Sequence, residues 1–382
     1  MSFAAAGETA VAATTIPLFK VFMAKGAHAA LLPVLQSGQL GTGRKVAAFE
    51  ASLAAWLGAP DAVALSDASA ALTLALTLSG VQPGNEVITS PLACSATVMP
   101  IANLFAKPAW CDVEPDTGMP NAQTIAARIS DRTRAVLLYS WAGDVPDLEA
   151  ISALCSERRI PLIHDASEGL GAKWNGGHLG QYADFTVYSF YATKHLTTGE
   201  GGALLAKDPV HLQKARHLRR FGIDPSTFRL SNGDLNPAFD IALAGFNFPM
   251  NEIAATLGNV HLANVESLLL KYRENGNYYE QALQGIAGLK LHRRQKGSQS
   301  AYWTYSLCAE RRDDLIHKLT SCGIGSQRLH LRNDLLSCFG AAREVDLEGT
   351  ALFDQENLSI PCGWWIDAAQ RDQVVQVIRQ GW

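Results

Sequence analysis

With 382 residues, 48% of them hydrophobic and 18% charged, the chain is long enough for one large domain plus a smaller one and is composed as a compact globular protein rather than a disordered one. A formal net charge of −4, with "HLRR" and "LHRRQK" as the only dense basic runs, argues against a nucleic-acid partner, because such binders cluster Lys and Arg against phosphates. Seven scattered cysteines without a CxxC pair, no zinc-like His or Cys spacing, and no uncharged apolar run near the ~20 residues of a membrane span point to a reduced, cytoplasmic protein with no metal and no membrane partner.

The first fifteen residues, "MSFAAAGETAVAATT", carry Glu8 and no basic region, so no signal peptide is expected. Next, "DAVALS" reads as a short strand, "ASAALTLALTLSG" as a buried helix ended by Gly80, "NEVITS" as a strand and the stretch after Cys94 as a helix. "KPAWCDVEP", "TRAVLLYS", "IPLIHDAS" and "DFTVYSF" give four more strands, with helices near 120–130 and 147–157 between the earlier ones. Strands alternating with helices predict an α/β fold with a mostly parallel sheet flanked by helices. One long helical region is expected over roughly 250–285, followed by the strands "LKLHRR" and "AYWTYSLCAE" and helices near 311–321 and 366–380. The expected organisation is a large α/β domain over 1–250, linking helices over 251–285 and a smaller α+β C-terminal domain over 286–382.

Ligands on a parallel sheet sit at the carboxyl ends of its strands, so the residues just after each strand are the candidates. After "DAVALS", Ala68 and Ser69 open a helix whose free N–H groups suit a phosphate; an ordinary N-cap by Ser66, Asp67 or Ser69 is the plainer alternative. The strand "IPLIHDAS" ends in Asp165, a buried carboxylate that calls for a cation. "DFTVYSF" ends in Ser189 and leads to Lys194, which taken singly reads as a solvated surface lysine. Together, a phosphate anchor, a carboxylate for a ring nitrogen and an amine for an aldehyde are what pyridoxal 5'-phosphate requires, with Lys194 forming a Schiff base. Cationic or apolar neighbours would lower its pKa enough for it to act as a base. A dinucleotide site fails on motif grounds: "GTGRKV" lacks the third glycine, and no GxxxxGK[ST] occurs.

"SFYATKHLTTGEGG" and "HDASEGLGAKWNGGHLG", with "SGQLGTGRKVAAFE", "GNEVITSPLACSAT", "WCDVEPDTG" and "GFNFPMNEIAATLGNVHL", resemble the DegT-type nucleotide-sugar aminotransferases over most of residues 16–285. These are pyridoxal-phosphate enzymes of fold-type I. The resemblance implies Lys194 as the Schiff-base lysine, Asp165 as the partner of the pyridine nitrogen, and Ser189 with the backbone of Ala68 and Ser69 as phosphate anchors. It also implies a homodimer with shared active sites, because Asn247 matches an asparagine that reaches the partner's cofactor phosphate. Three positions depart from the family pattern. Glu168 stands where many members place a glutamine beside the cofactor's phenolic oxygen, and a carboxylate there should favour a protonated, hydrogen-bonded arrangement. Cys94 stands where many stack an aromatic ring on the pyridine, and Pro249 where arginine is common.

Members with histidine in place of the lysine resemble sugar dehydratases, so Lys194 implies transamination. An amino-acid donor, by resemblance glutamate, would aminate a nucleotide-linked keto-deoxysugar for the amino sugars of a surface polysaccharide, such as lipopolysaccharide, or of a glycoside. The alternatives are another fold-type I reaction, such as cysteine desulfuration or aromatic amine synthesis, or a non-catalytic regulator on the same scaffold. His330, Arg332 and Trp365 stand in the C-terminal part, where the family's substrate specificity resides; packing or solvent exposure accounts for them equally well.

Overall fold

Strands that are apolar at nearly every position, rather than at every second one, build the central sheet. The structure is a computed structural model describing residues 16–340 and 346–382; the segment expected to lack a signal peptide lies outside the described residues. In chain order its elements begin with α1 (Ala27–Ser37), α2 (Arg44–Leu57), β1 (Val63–Leu65), α3 (Ala68–Leu78), β2 (Glu86–Thr89), α4 (Ser95–Asn103), β3 (Lys107–Trp110), α5 (Ala122–Ala126), β4 (Thr133–Tyr139), α6 (Leu148–Arg158) and β5 (Leu162–Asp165). There follow β6 (Lys173–Trp174), β7 (Gly177–His178), β8 (Phe185–Ser189), β9 (Gly202–Ala206), α7 (Pro209–Leu218), α8 (Pro225–Phe228), α9 (Glu252–Leu262) and α10 (Val265–Ala282). The C-terminal stretch supplies β10 (Leu289–Leu291), β11 (Ser298–Gln299), β12 (Tyr305–Ala309), α11 (Arg312–Ser321), α12 (Glu348–Glu356), β13 (Asn357–Ile360) and α13 (Ala368–Arg379).

Seven strands pair in the order β1-β9-β8-β5-β4-β2-β3, parallel except where β9 runs antiparallel to both β8 and β1. Successive residues of a strand face opposite sides, and both sides are covered. In β4, Val136 and Leu138 enter the core shared with Phe49, Leu53 and Leu162, whereas Leu137 and Tyr139 enter the core shared with Leu72, Leu74 and Val187. α3 is buried from Ala70 through Leu76, which suits a helix with apolar residues all round. A second sheet, β10-β12-β13, is antiparallel and packs with α11 and α13 around Tyr305, Leu315, Leu358 and Val374. Ile16 joins this C-terminal core, while Ala301 and Trp303 pack into the cores of the large sheet.

Three local features differ from the sequence reading. The single helical region expected over 250–285 is two helices, α9 and α10, meeting at 61°. Asn264, between them, turns its side-chain amide onto the Val260 carbonyl, the local competition that disfavours Asn inside helices. β9 and the pair α1 and α2 went unread. The N-terminus of α2 is capped from a distance: Glu252, buried at the start of α9, accepts the N–H groups of Lys45 and Val46 at 3.0 Å each. No single helix among the described residues is long and apolar enough to cross a membrane.

Candidate active site

β1, β2, β4, β5 and β8 run in one direction, so their carboxyl ends open onto one edge of the sheet. Asp165 is the last residue of β5 and 1% exposed. Its carboxylate accepts the Thr97 hydroxyl at 2.7 Å and the Ser167 N–H at 3.0 Å. Burial pushes the Asp165 carboxyl above its ordinary range, against the pull of those hydrogen bonds and of the Lys194 charge. The cation expected to touch Asp165 is not found among the described residues; its direct partners are uncharged, and the need for a cation there stands open.

At the end of β1, Asp67 is the N-cap of α3, its carboxylate accepting the Ala70 N–H at 2.8 Å. The N–H groups of Ala68 and Ser69 lack acceptors among the described residues, and the Ser69 hydroxyl is committed to the Ala96 carbonyl at 2.9 Å. Ser189, ending β8, pairs across the sheet with Gly202, and Gly202 pairs in turn with Leu65. A Cβ on Gly202 would stand 2.5–2.6 Å from the backbone of Asp67 and Ala68, so this position needs glycine for β9 to lie against the start of α3. That contact brings Ser189 beside the free helix N–H groups. The Ser189 hydroxyl oxygen accepts the Tyr191 N–H at 3.2 Å, and its proton has no acceptor among the described residues.

Lys194 lies in the loop between β8 and β9, whose neighbours hold it in place. His195 points away and bonds the Ala301 carbonyl at 3.0 Å, and the Trp303 indole N–H donates to the Thr193 carbonyl at 2.9 Å. Trp303 also sits under the amine, with Nζ 3.5 Å from its ring centroid, a cation–π contact. The segment carrying Trp303 docks on the turn after β4: Gly143, at φ +96°, accepts the Ala301 N–H, and a Cβ there would stand 2.8–3.0 Å from the backbone of Tyr302, Glu168 and Trp303.

Where cationic or apolar neighbours were expected, Lys194 has the apolar face of Trp303 on one side and an anion, Glu168, on another, with Oε1 3.2 Å from Nζ. Glu168 is fully buried; Oε2 accepts the Ala142 N–H at 2.8 Å, and Oε1 also receives His330 Nε2 at 3.2 Å. Burial alone would raise its carboxyl, yet the Lys194 charge, His330 and Tyr139 hold it down to about 2. Without cofactor, Glu168 is therefore an anion; the protonated arrangement that the resemblance implies concerns Glu168 beside the cofactor's phenolic oxygen. Cys94, half-buried just before α4, is kept a thiol by burial, which raises its pKa.

Asn247 is exposed on a segment paired with Arg220, next to Phe248, whose carbonyl accepts the Ser66 N–H just before α3, and its side chain makes no hydrogen bond among the described residues. Pro249 bridges Leu65 on the same segment. Of the three C-terminal residues left open, only His330 reaches the site; Arg332 pairs with Asp334, and Trp365 donates to the Pro17 carbonyl. Thr97, Tyr139 and Trp303 were not singled out. Thr97 sits on the first turn of the helix after Cys94, a position that a strand-end argument can find; Trp303 precedes β12 and carries no local signal.

These groups fit pyridoxal phosphate by what each lacks: a buried carboxylate without a cation, two helix N–H groups and a hydroxyl proton without acceptors, and a primary amine 11% exposed. The chain is 30% identical over 318 residues (81% of this chain, 82% of the relative) to UDP-4-amino-4-deoxy-L-arabinose--oxoglutarate aminotransferase of Shewanella sediminis (strain HAW-EB3). It is 28% identical over 345 residues, 88% of this chain and 90% of the relative, to GDP-perosamine synthase of Caulobacter vibrioides (strain ATCC 19089 / CIP 103742 / CB 15). Among solved structures, the sugar aminotransferase CalS13 from Micromonospora echinospora superposes with a TM-score of 0.91 at 34% identity, covering 96% of this chain and all of that one. With a family model matching residues 23–379, the chain belongs to the DegT/DnrJ/EryC1/StrS aminotransferase family, and it is a pyridoxal-phosphate-dependent transaminase of amino-sugar biosynthesis.

Proposed function

We propose that the protein transfers an amino group from glutamate to a nucleotide-linked keto-deoxysugar. The observation that carries this reading is the convergence of Lys194, Asp165, Ser189 and the open start of α3 on one edge of the sheet. The relatives support the substrate class, since one is named for a UDP-linked amino sugar and oxoglutarate and another for a GDP-linked amino sugar.

In this reading, the α3 N–H groups and the Ser189 hydroxyl hold the cofactor phosphate, as helix N-termini hold anions. Asp165 holds a proton at the ring nitrogen: the buried carboxylate gains the cation it lacks, and the cation gains an anion in a low dielectric. When bound, pyridoxal phosphate supplies an electron sink for cleavage of a C–H bond next to nitrogen. Lys194 Nζ would take the proton from the donor's Cα and return it to the carbon on the far side of the nitrogen, two atoms along, and Trp303 and Glu168 limit where that amine can swing. Cys94 borders the ring with a smaller face than an aromatic residue offers.

The active unit in this proposal is a homodimer with shared sites, Asn247 serving the partner's phosphate. Support comes from the same 220–247 segment, where Phe221, Leu230, Leu235, Ile241 and Leu243 are all large, apolar and exposed. The test is to incubate the protein with glutamate and a panel of nucleotide-linked keto sugars. Multiple-turnover release of 2-oxoglutarate, beyond the one equivalent per site that glutamate alone gives, is expected only with one of the sugars; multiple turnovers without sugar, or none with any, sink the proposal.

A further inference from the structure

Glu168 Oε1 serves two nitrogen donors at once, Lys194 Nζ and His330 Nε2, each at 3.2 Å. A carboxylate only accepts, so in this contact Nε2 acts as the donor, with the proton on that nitrogen. The same Nε2 lies 2.9 Å from the Tyr139 hydroxyl, and Tyr139 is also among the groups that hold the Glu168 carboxyl down. The imidazole stands edge-on to Trp141, with ring centroids 5.5 Å apart, and is held from both sides along the chain. Three residues before it, Gln327 pairs with Ser359 beside β13. Three residues after it, Asn333, fully buried, donates to the carbonyls of Pro91 and Ala93 and accepts the Ser95 hydroxyl. His330 is thus carried by a strap from the C-terminal part, clamped onto the loop that bears Cys94.

We propose that His330 is a positioning residue that sets, through Glu168, how strongly the Lys194 nitrogen holds a proton; this rests on reading Lys194 as the amine that joins the cofactor. Two donors on one oxygen compete: density drawn towards His330 is withdrawn from Lys194. Without the imidazole donor, Glu168 acts on Lys194 with its charge less satisfied, and the cationic nitrogen keeps its proton to higher pH. The groups facing His330 are Tyr139 from β4, Glu168 from the loop after β5 and Lys194 from the loop after β8. Asp165 and Cys94 add to the field on Tyr139, and Arg332 on the strap itself is neutralised by Asp334.

The test is the pH midpoint of the visible absorption band of cofactor-loaded protein, which reads the proton on the Lys194 nitrogen without turnover. His330→Phe is expected to raise the midpoint by about one pH unit, and Glu168→Gln to lower it by at least as much. His330→Gln retains an N–H donor and stays near wild type. In the Glu168→Gln background, His330→Phe is expected to do nothing, since the anion it acts through is gone. His330→Ala replaces the phenylalanine variant if that ring does not fit beside Trp141. A midpoint that moves with Glu168→Gln but not with removal of the imidazole overturns the role of His330 alone, as does an equal shift in both backgrounds. Borohydride fixation of the cofactor on another lysine overturns the reading of Lys194 itself, and this proposal with it.

Discussion

Replacing Lys194 by methionine keeps the aliphatic stem and deletes the charge, and its effect on the cofactor-free protein follows from Glu168. That carboxyl has no exposed surface, and in the folded protein it is held near about 2 against an ordinary 4.5, with the Lys194 charge the leading favourable contribution and His330 next. That depression corresponds to about 3 kcal/mol at 1.36 kcal/mol per pH unit, with the Lys194 charge the largest single favourable contribution. Lys194→Met should therefore destabilise the cofactor-free protein by about 2 kcal/mol at pH 7, and Lys194→Met/Glu168→Gln, with no charge left to strand, should recover most of it. Because the folded pKa is depressed, the stabilisation is present above about 4.5 and is lost as pH falls towards about 2; the gap between variant and wild type closes over that window. Urea midpoints at constant m-value, taken at several pH values, measure all three quantities. A Lys194→Met protein as stable as wild type at pH 7, or a double variant no better than the single, would refute the pairing as an energetic feature.

Four further outcomes are expected. Borohydride reduction of the cofactor-loaded protein, followed by digestion and mass spectrometry, should place the pyridoxyl group on Lys194 and on no other lysine. Asp165→Asn should fold and retain cofactor yet lose at least about 100-fold in turnover, and near-normal activity would remove Asp165 from its role. Lys194→Ala mixed with an Asn247 variant defective in cofactor binding should recover about a quarter of wild-type activity once subunits exchange, because half the dimers then carry one intact site; no recovery despite demonstrated exchange counts against shared sites. Glu252→Ala strips the acceptor from the N–H groups of Lys45 and Val46 and should cost about 2 kcal/mol in a denaturant titration, whereas an unchanged midpoint would make that cap dispensable.

What the sequence disclosed, and what it hid, divides along physical lines. β4 and β5 were legible because apolar runs bounded by polar turns admit few other readings, and Asp165 stood out because a carboxylate ending such a run must be buried. The start of α3 was legible from cap chemistry, and of the three candidates Ser66, Asp67 and Ser69 it is Asp67 that caps it. β9 was not, because "GALLA" is too short and too small to tell from a loop, and its reason for being a strand is the pairing with β1 and β8. α2 was hidden because its cap comes from Glu252, some two hundred residues away, and α1 because it starts after Gly26 with no side-chain cap at all. His330 and Trp303 reach the site by tertiary contact from the C-terminal part, and neither has a local spacing that announces it. The charge state of Glu168 in the cofactor-free protein is hidden for the same reason: a carboxylate's proton is set by which cations face it, and that is a property of the fold.

The antiparallel strand explains how the chain keeps Lys194 at the site. In a parallel α/β unit, the residues after a strand soon enter a helix that carries the chain back along the sheet, so only the first few remain at the carboxyl edge. Between β8 and β9 the chain makes no such crossover. Residues 190–201 turn back at once, with Phe190 donating to the Gly201 carbonyl and Thr198 to that of Phe190, so the whole loop stays over the edge where Asp165 and the start of α3 lie. The returning strand then lays Gly202 against Asp67 and Ala68, in a space no side chain can share. One reversal of direction thus holds the amine over the strand ends and sets the helix N-terminus beside Ser189. The cost is a loop without helical hydrogen bonds of its own, and the contacts of His195 with Ala301 and of Trp303 with Thr193 replace them from a distant part of the chain. The C-terminal segment that carries Ala301 and Trp303 is therefore part of what positions Lys194, even though neither residue bears the charge or the nucleophile.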